Sequence, residues 1–173
     1  RDLPYIHLGY FPDNYQSALA FRIDIDGAFG QNLIHISKSA LEHGFTLTFF
    51  ANKSSCKDDE ETIQKIDGAH EIGNHADIHN LFTDYESNRK NIQDCKTWLN
   101  HLGIDDHKLF SAPRGMWNYS LHKALNDLGY LYTSDFGAGI GGFPFFPYLD
   151  GTRSTTLQIP VNPFSAERAA IWR

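Results

Sequence analysis

Apolar positions along this chain follow two periods in turn. ALAFRIDID (18–26) alternates like a strand and ends in two carboxylates. FTLTFFA (45–51), HEIGNH (70–75), LFSAP (109–113), 130–133 and 157–161 are further short apolar runs, rich in aromatic and β-branched residues. Between them the spacing becomes helical. Leu33, Ile34, Ala40 and Leu41, with the small Ser37, predict a helix over 31–43 that stops at Gly44. Acidic residues at 58–61 open a short helix at the positive end of its dipole. Thr83 and Glu86 read as a capping box for a helix carried by Ile92, Cys95, Leu99 and Leu102 to Gly103. Leu121, Ala124, Leu125 and Leu128 give another, stopped at Gly129.

Strand–helix alternation predicts an α/β fold around a parallel sheet. A doubly wound sheet normally carries a glycine-rich phosphate loop after its first strand, and FRIDIDGAFG lacks the G-x-G-x-x-G spacing. A (β/α) barrel instead gathers its chemistry at the C-terminal ends of several strands. Asp24, Asp26, His75 and Ser111 all fall at such ends, so a barrel is predicted, six strands long. The segment 137–151, GAGIGGFPFFPYLDG, is too long and irregular for a plain connection.

The chain has 173 residues, which makes one domain the default. Fifteen Lys and Arg against twenty-one Asp and Glu give a formal net charge of −6, which argues against a nucleic-acid backbone as partner. No apolar stretch approaches the roughly 18–20 residues of a membrane span. The opening Arg1-Asp-Leu-Pro-Tyr does not read as a signal peptide, and with Met116 as the only methionine the expectation is a processed or excised chain. Cys56, in a polar loop, and Cys95, on an apolar helical face, read as ordinary thiols. The sequons at Asn52 and Asn118 read as chance.

On a strand, Asp24 and Asp26 point to one face, so both carboxylates enter one pocket. His75 and His79 are four apart, a spacing that puts two imidazoles on one side of a helical turn and suits a shared metal. Either pair alone is weak in a chain with nine histidines. Jointly, one Asp and two His with open positions describe a hydrolytic metal site.

AFRIDID, TLTFFA, HEIGNHADIH, FSAPRGMWNYSLHKALNDLGY and LQIPVNP, in this order from about residue 18 to 163, resemble the NodB-homology polysaccharide deacetylases, carbohydrate esterase family four. The resemblance implies an irregular (β/α) barrel that removes N- or O-acetyl groups from a polysaccharide or amino sugar, in a cell-envelope or extracellular setting, using a divalent metal, usually Zn2+. It makes Asp24 the catalytic base and Asp26, His75 and His79 the metal ligands. Arg114 and Asp135 take catalytic roles, and Pro113 and Trp117 lie toward the substrate. Residues 1–173 then form one deacetylase-like domain whose C-terminal portion is expected to be missing.

Three departures from the family pattern weaken the expected turnover. Ser111 stands where the family's arginine pairs with the base, and Arg114 follows Pro113 instead. Thr133-Ser134-Asp135-Phe136 is a degenerate fourth motif. No histidine follows His122 to act as general acid. His70 reads as structural, while His7, His35, His43, His101, His107 and His122 read as exposed. Phe143, Phe145, Phe146 and Tyr148 suit either core packing or sugar contact. Two other readings stay open: a non-catalytic relative that keeps the cleft, and a hydrolase of a small amide or cyclic ureide. His75-Ala-Asp77 also fits the H-x-D of an iron-oxygenase facial triad, two of its three ligands, but the helix-rich pattern and the absence of late histidines argue against a jelly roll.

Overall fold

Each apolar run that ends in polar residues forms one strand of a single parallel sheet. The computed structural model describes residues 20–27, 30–136 and 143–161. In chain order these hold β1 (Arg22–Ile25), α1 (Gly30–Glu42), β2 (Thr48–Ala51), α2 (Lys53–Cys56), α3 (Glu60–Ile66), β3 (Glu71–Asn74), α4 (Tyr85–His101), β4 (Leu109–Ser111), α5 (Tyr119–Asp127), β5 (Tyr132–Asp135), β6 (Tyr148–Leu149), β7 (Thr152–Arg153) and β8 (Leu157–Pro160). The sheet order is β1-β2-β3-β4-β5-β8, parallel throughout. His7 lies outside the described residues.

Alternation along each strand sorts side chains onto two faces. Ile23, Ile25, Phe49, Ala51 and Ile72 pack with α1, α3 and α4 in one buried cluster; Phe110 and Ala112 pack with α5 and Tyr130 in a second. The opposite face carries Arg22, Asp24, Phe50, Gly73, Ser111 and Ser134. That face is concave. Laid flat, β1 and β5 would stand about 19 Å apart across four strand spacings, yet Arg22 Nη1 donates to Ser134 O and to Ser134 Oγ, both at 2.7 Å. The sheet curls into a half-barrel, with β1 and β8 as its two edges among the described residues. This is the predicted open (β/α) barrel.

Some local expectations are corrected. The N-cap of α4 is Asp84, whose carboxylate accepts the Ser87 N–H at 2.8 Å, one residue beyond the expected Thr83. Cys56 lies in the short helix α2 and is buried, not in a polar loop. Both cysteines are free. The two sequon asparagines are helix caps, for α2 and α5, and Asn52 is fully buried. His70 is structural as expected: its Nδ1 accepts the Leu47 N–H at 3.2 Å and its Nε2 lies 3.0 Å from Ser37 Oγ. Part of the 137–151 segment is regular: β6 and β7 form a hairpin whose turn residues, Asp150 (φ 52°) and Gly151 (φ 76°), are both left-handed.

Candidate active site

Two strand ends face each other across the half-barrel. Asp24 is on β1 and Asp26 is the first residue beyond it; His75 follows β3 directly. The chain then bends through Ala76, at φ 67°. His75 and His79 therefore come from an irregular loop, which corrects the helical turn expected from their spacing.

Buried asparagines hold that loop in place of a hydrogen-bond ladder. Asn52 Nδ2 donates to the His75 and Ala76 carbonyls at 3.1 and 2.9 Å. Asn74 Oδ1 accepts the Ala76 N–H at 2.8 Å. Asn91 Oδ1 accepts the Ile78 N–H at 2.7 Å, and its Nδ2 donates to Ile78 O and Asn80 O at 3.0 and 3.2 Å. Lys53 and Ser54 bind the Asp77 carboxylate between the two histidines.

His75 Nδ1 lies 2.8 Å from Ser111 O. A carbonyl only accepts, so Nδ1 carries the proton and Nε2 presents a lone pair. That Nε2 stands 3.0 Å from Asp26 Oδ1, and His79 Nε2 stands 3.4 Å from the same oxygen. With the ring neutral, Nε2 has no proton to donate across that 3.0 Å; as an imidazolium it donates to Asp26 Oδ1. Both Nε2 atoms are buried without a hydrogen-bond partner among the described residues. One donor atom from each of Asp26, His75 and His79 lies within 4.8 Å of the others. Two orphaned imidazole nitrogens beside a carboxylate oxygen are what a divalent cation satisfies. The residues fit such an ion, with coordination positions left over for water and substrate.

Electrostatics keeps these groups in ligand form. In the metal-free site a hydrogen bond from the imidazolium form of His75 holds the Asp26 carboxyl below the usual carboxylate range, against the opposing effect of partial burial. Burial lowers the pKa of His79 below its ordinary 6.5, opposed by the Asp26 charge.

Asp24 has different surroundings. Arg22 Nη2 donates to its Oδ2 at 2.7 Å and Ser111 Oγ donates to its Oδ1 at 3.1 Å. His75 Nε2 is 4.0 Å from Asp24 Oδ2, one ångström further than from Asp26. Sequence reasoning missed Arg22. Its signal was present: on the strand R-x-D-x-D, residue 22 shares the face of Asp24.

Of the other expected site residues, Asp135 is turned away, and Arg114, Pro113 and Trp117 make no hydrogen bond or ion pair with Asp24, Asp26, His75 or His79 among the described residues. Arg114 sits in a tight 3-10 turn (Pro113–Gly115) at φ 58°, exposed, and its charge acts on His79 while it forms no ion pair with Asp24. Pro113 is buried at the start of that turn. Asp135 lies on the helix-side face of β5, opposite Ser134, where it meets His122. His122 is thus fully buried, correcting the expected exposed histidine. Trp117 packs against it, ring centroids 5.2 Å apart, and the residue is exposed.

The model of the polysaccharide deacetylase family matches residues 26–133, more than half the chain. The chain belongs to the polysaccharide deacetylase family. No curated protein matches its sequence. A solved candidate polysaccharide deacetylase from Mycobacterium smegmatis superposes with a TM-score of 0.77 at 21% identity, covering 93% of this chain and 64% of that one. A family 4 carbohydrate esterase from Streptomyces lividans, in complex with acetate, gives 0.61 at 17% identity, over 70% of this chain and 64% of that one. A family 4 pseudoenzyme from Bacillus anthracis, BA3943, gives 0.57 at 23% identity, over 63% and 40%. These likenesses concern the fold. The chain spans less than two thirds of the length of each of these three.

Proposed function

We propose that this chain is a metal-dependent deacetylase acting on N- or O-acetyl groups of a polysaccharide or amino sugar. The observation that carries the reading is the pair of buried, unpartnered imidazole nitrogens of His75 and His79 converging on Asp26, in a chain of the polysaccharide deacetylase family. Asp26, His75 and His79 would hold the ion, and zinc suits one carboxylate with two imidazoles. When bound, the ion supplies Lewis-acid chemistry, polarising an acetyl carbonyl and lowering the pKa of water from 15.7 toward about 7.

The chain's own residues do the rest. Asp24 accepts the proton of the attacking water as general base. Arg22 and Ser111 hold its two oxygens in place. The Ser111 carbonyl fixes the His75 tautomer, a partner of the kind that orients metal-bound histidines. Trp117 offers an exposed indole on which a sugar ring can stack. Arg114 lies close enough to bring positive charge toward the His79 side of the site.

With Asp24 as base, Asp26, His75 and His79 as ligands and Asp135 turned to the helix side of β5, none of these residues is left to protonate a leaving amine. Turnover should therefore favour esters whose leaving group needs no proton. The test compares an acetylated amino-sugar oligomer with an aryl acetate, each with and without added zinc, and with Asp24→Asn. Zinc-stimulated, Asp24-dependent hydrolysis of the aryl acetate with slower release from the oligomer supports the reading. Zinc binding and oligomer binding without any hydrolysis favours a non-catalytic relative, the reading suggested by Ser111 in place of the family arginine. Absence of zinc binding sinks both.

A further inference from the structure

Two aspartates two residues apart enter the same site, and something decides which of them meets the ion. Sequence order does not: both sit on one strand face, and both have an oxygen within 4.0 Å of His75 Nε2. Their partners differ. Both oxygens of Asp24 are engaged, one by the Arg22 guanidinium and one by the Ser111 hydroxyl. Asp26 has no Arg, Lys or hydroxyl partner among the described residues, faces only the imidazole nitrogens of His75 and His79, and is half exposed. The guanidinium is itself fixed, since its other arm is bound twice to Ser134 on β5 and it rests over the Phe50 ring, 5.9 Å from the centroid.

We propose that Arg22, with Ser111, is the positioning device that reserves Asp24 as base and leaves Asp26 as the carboxylate ligand. A planar guanidinium spanning from β1 to β5 gives one carboxylate oxygen a charged, directional donor that a mobile side chain would not supply. Without it, Asp24 is free to turn toward the ion, and the site gains a ligand while losing its base. The inference rests on the metal reading above.

Cobalt(II) is the probe, because its visible bands report the number of ligands without requiring turnover. Four proteins are compared: wild type, Arg22→Met, Arg22→Met with Asp24→Asn, and Ser134→Ala. Arg22→Met is expected to change the position and intensity of the bound Co2+ bands, and the added Asp24→Asn to return them to wild type. Ser134→Ala, which removes the hydroxyl anchor of the other arm and keeps the carbonyl one, is expected to shift the bands in the same direction as Arg22→Met and less far; a larger shift than that of Arg22→Met contradicts the proposal. On an aryl acetate, Arg22→Met should lower kcat about 100-fold or more at similar KM, the scale of a positioned base. A folded Arg22→Met protein with the wild-type Co2+ spectrum overturns the proposal. If that variant fails to fold, Arg22→Lys decides: a tenfold or larger fall in kcat at unchanged KM supports a role for the fork, and wild-type kcat overturns it. A wild-type protein that binds no Co2+ fails the metal reading itself. That result is distinct from bound Co2+ whose spectrum ignores residue 22.

Discussion

The Asp135 carboxylate meets His122 Nε2 at 2.9 Å, with both side chains fully buried between β5 and α5. Thr133 Oγ1 donates to the same carboxylate oxygen at 3.3 Å. The pair joins a helix to the sheet from the convex side, away from Asp24 and Asp26. Asp135→Ala should cost about 1–3 kcal/mol of stability, the scale of a buried hydrogen-bond partner left unmade. Urea denaturation measures it. Zinc affinity should stay at the wild-type value; a fall in affinity with unchanged stability would place Asp135 in the site after all.

Asn91 touches no expected ligand atom, yet it holds Ile78 and Asn80 on either side of His79. Asn91→Ala should weaken zinc binding by about 10–100-fold, the range for outer partners of metal ligands. Competition against a chelator gives the number. Direct loss of a ligand in His79→Ala should exceed it.

Acid acts on the metal-free site in two separate windows. The folded pKa of His79 lies below 6.5, so between 6.5 and that lower value the unfolded chain binds the extra proton. Stability falls as pH drops through this window, and above 6.5 the histidine contributes no slope. The depressed carboxyl of Asp26 contributes stability above the ordinary carboxylate pKa, lost only as pH falls through its folded value. His79→Gln should therefore flatten the stability profile below 6.5 and leave it unchanged above, as read by melting temperatures across a pH series.

Both thiols are shielded. Burial pushes Cys56 up to about 12, and raises Cys95 further. An aromatic disulfide reagent at pH 8 should leave the native protein unmodified and titrate two thiols once it is unfolded. Fast reaction of the native protein would contradict the packing of α2 against β1.

Periodicity made the six sheet strands and the long helices legible, because alternation and 3.6-residue spacing are local properties. The curl of the sheet is not local. It depends on which polar residue of one strand reaches another, and so Arg22, read from sequence as part of an apolar run, was passed over in favour of Arg114. The histidine pair was legible as a pair, but its backbone was not, since the loop that bends at Ala76 is held by Asn52, 24 residues upstream of it, and Asn91, 15 downstream. The β6–β7 hairpin carried a local Asp-Gly signal at 150–151 that the surrounding prolines and aromatics obscured. His122 was misread because a helical histidine is buried or exposed according to what the neighbouring strand offers it.

Gly73 on β3 gives the base a sensitivity at two removes. A Cβ there would lie 2.6 Å from Phe50 Cε1 and 2.7 Å from its Cδ1, so the absent methyl is the clearance that lets the ring lie flat. Over that ring sits the Arg22 guanidinium, and on the guanidinium hangs Asp24. Floor, bearing and lever are thus stacked one on another across three strands. A single added carbon at 73 would be felt as a tilt of the carboxylate, although no atom of that residue comes near it.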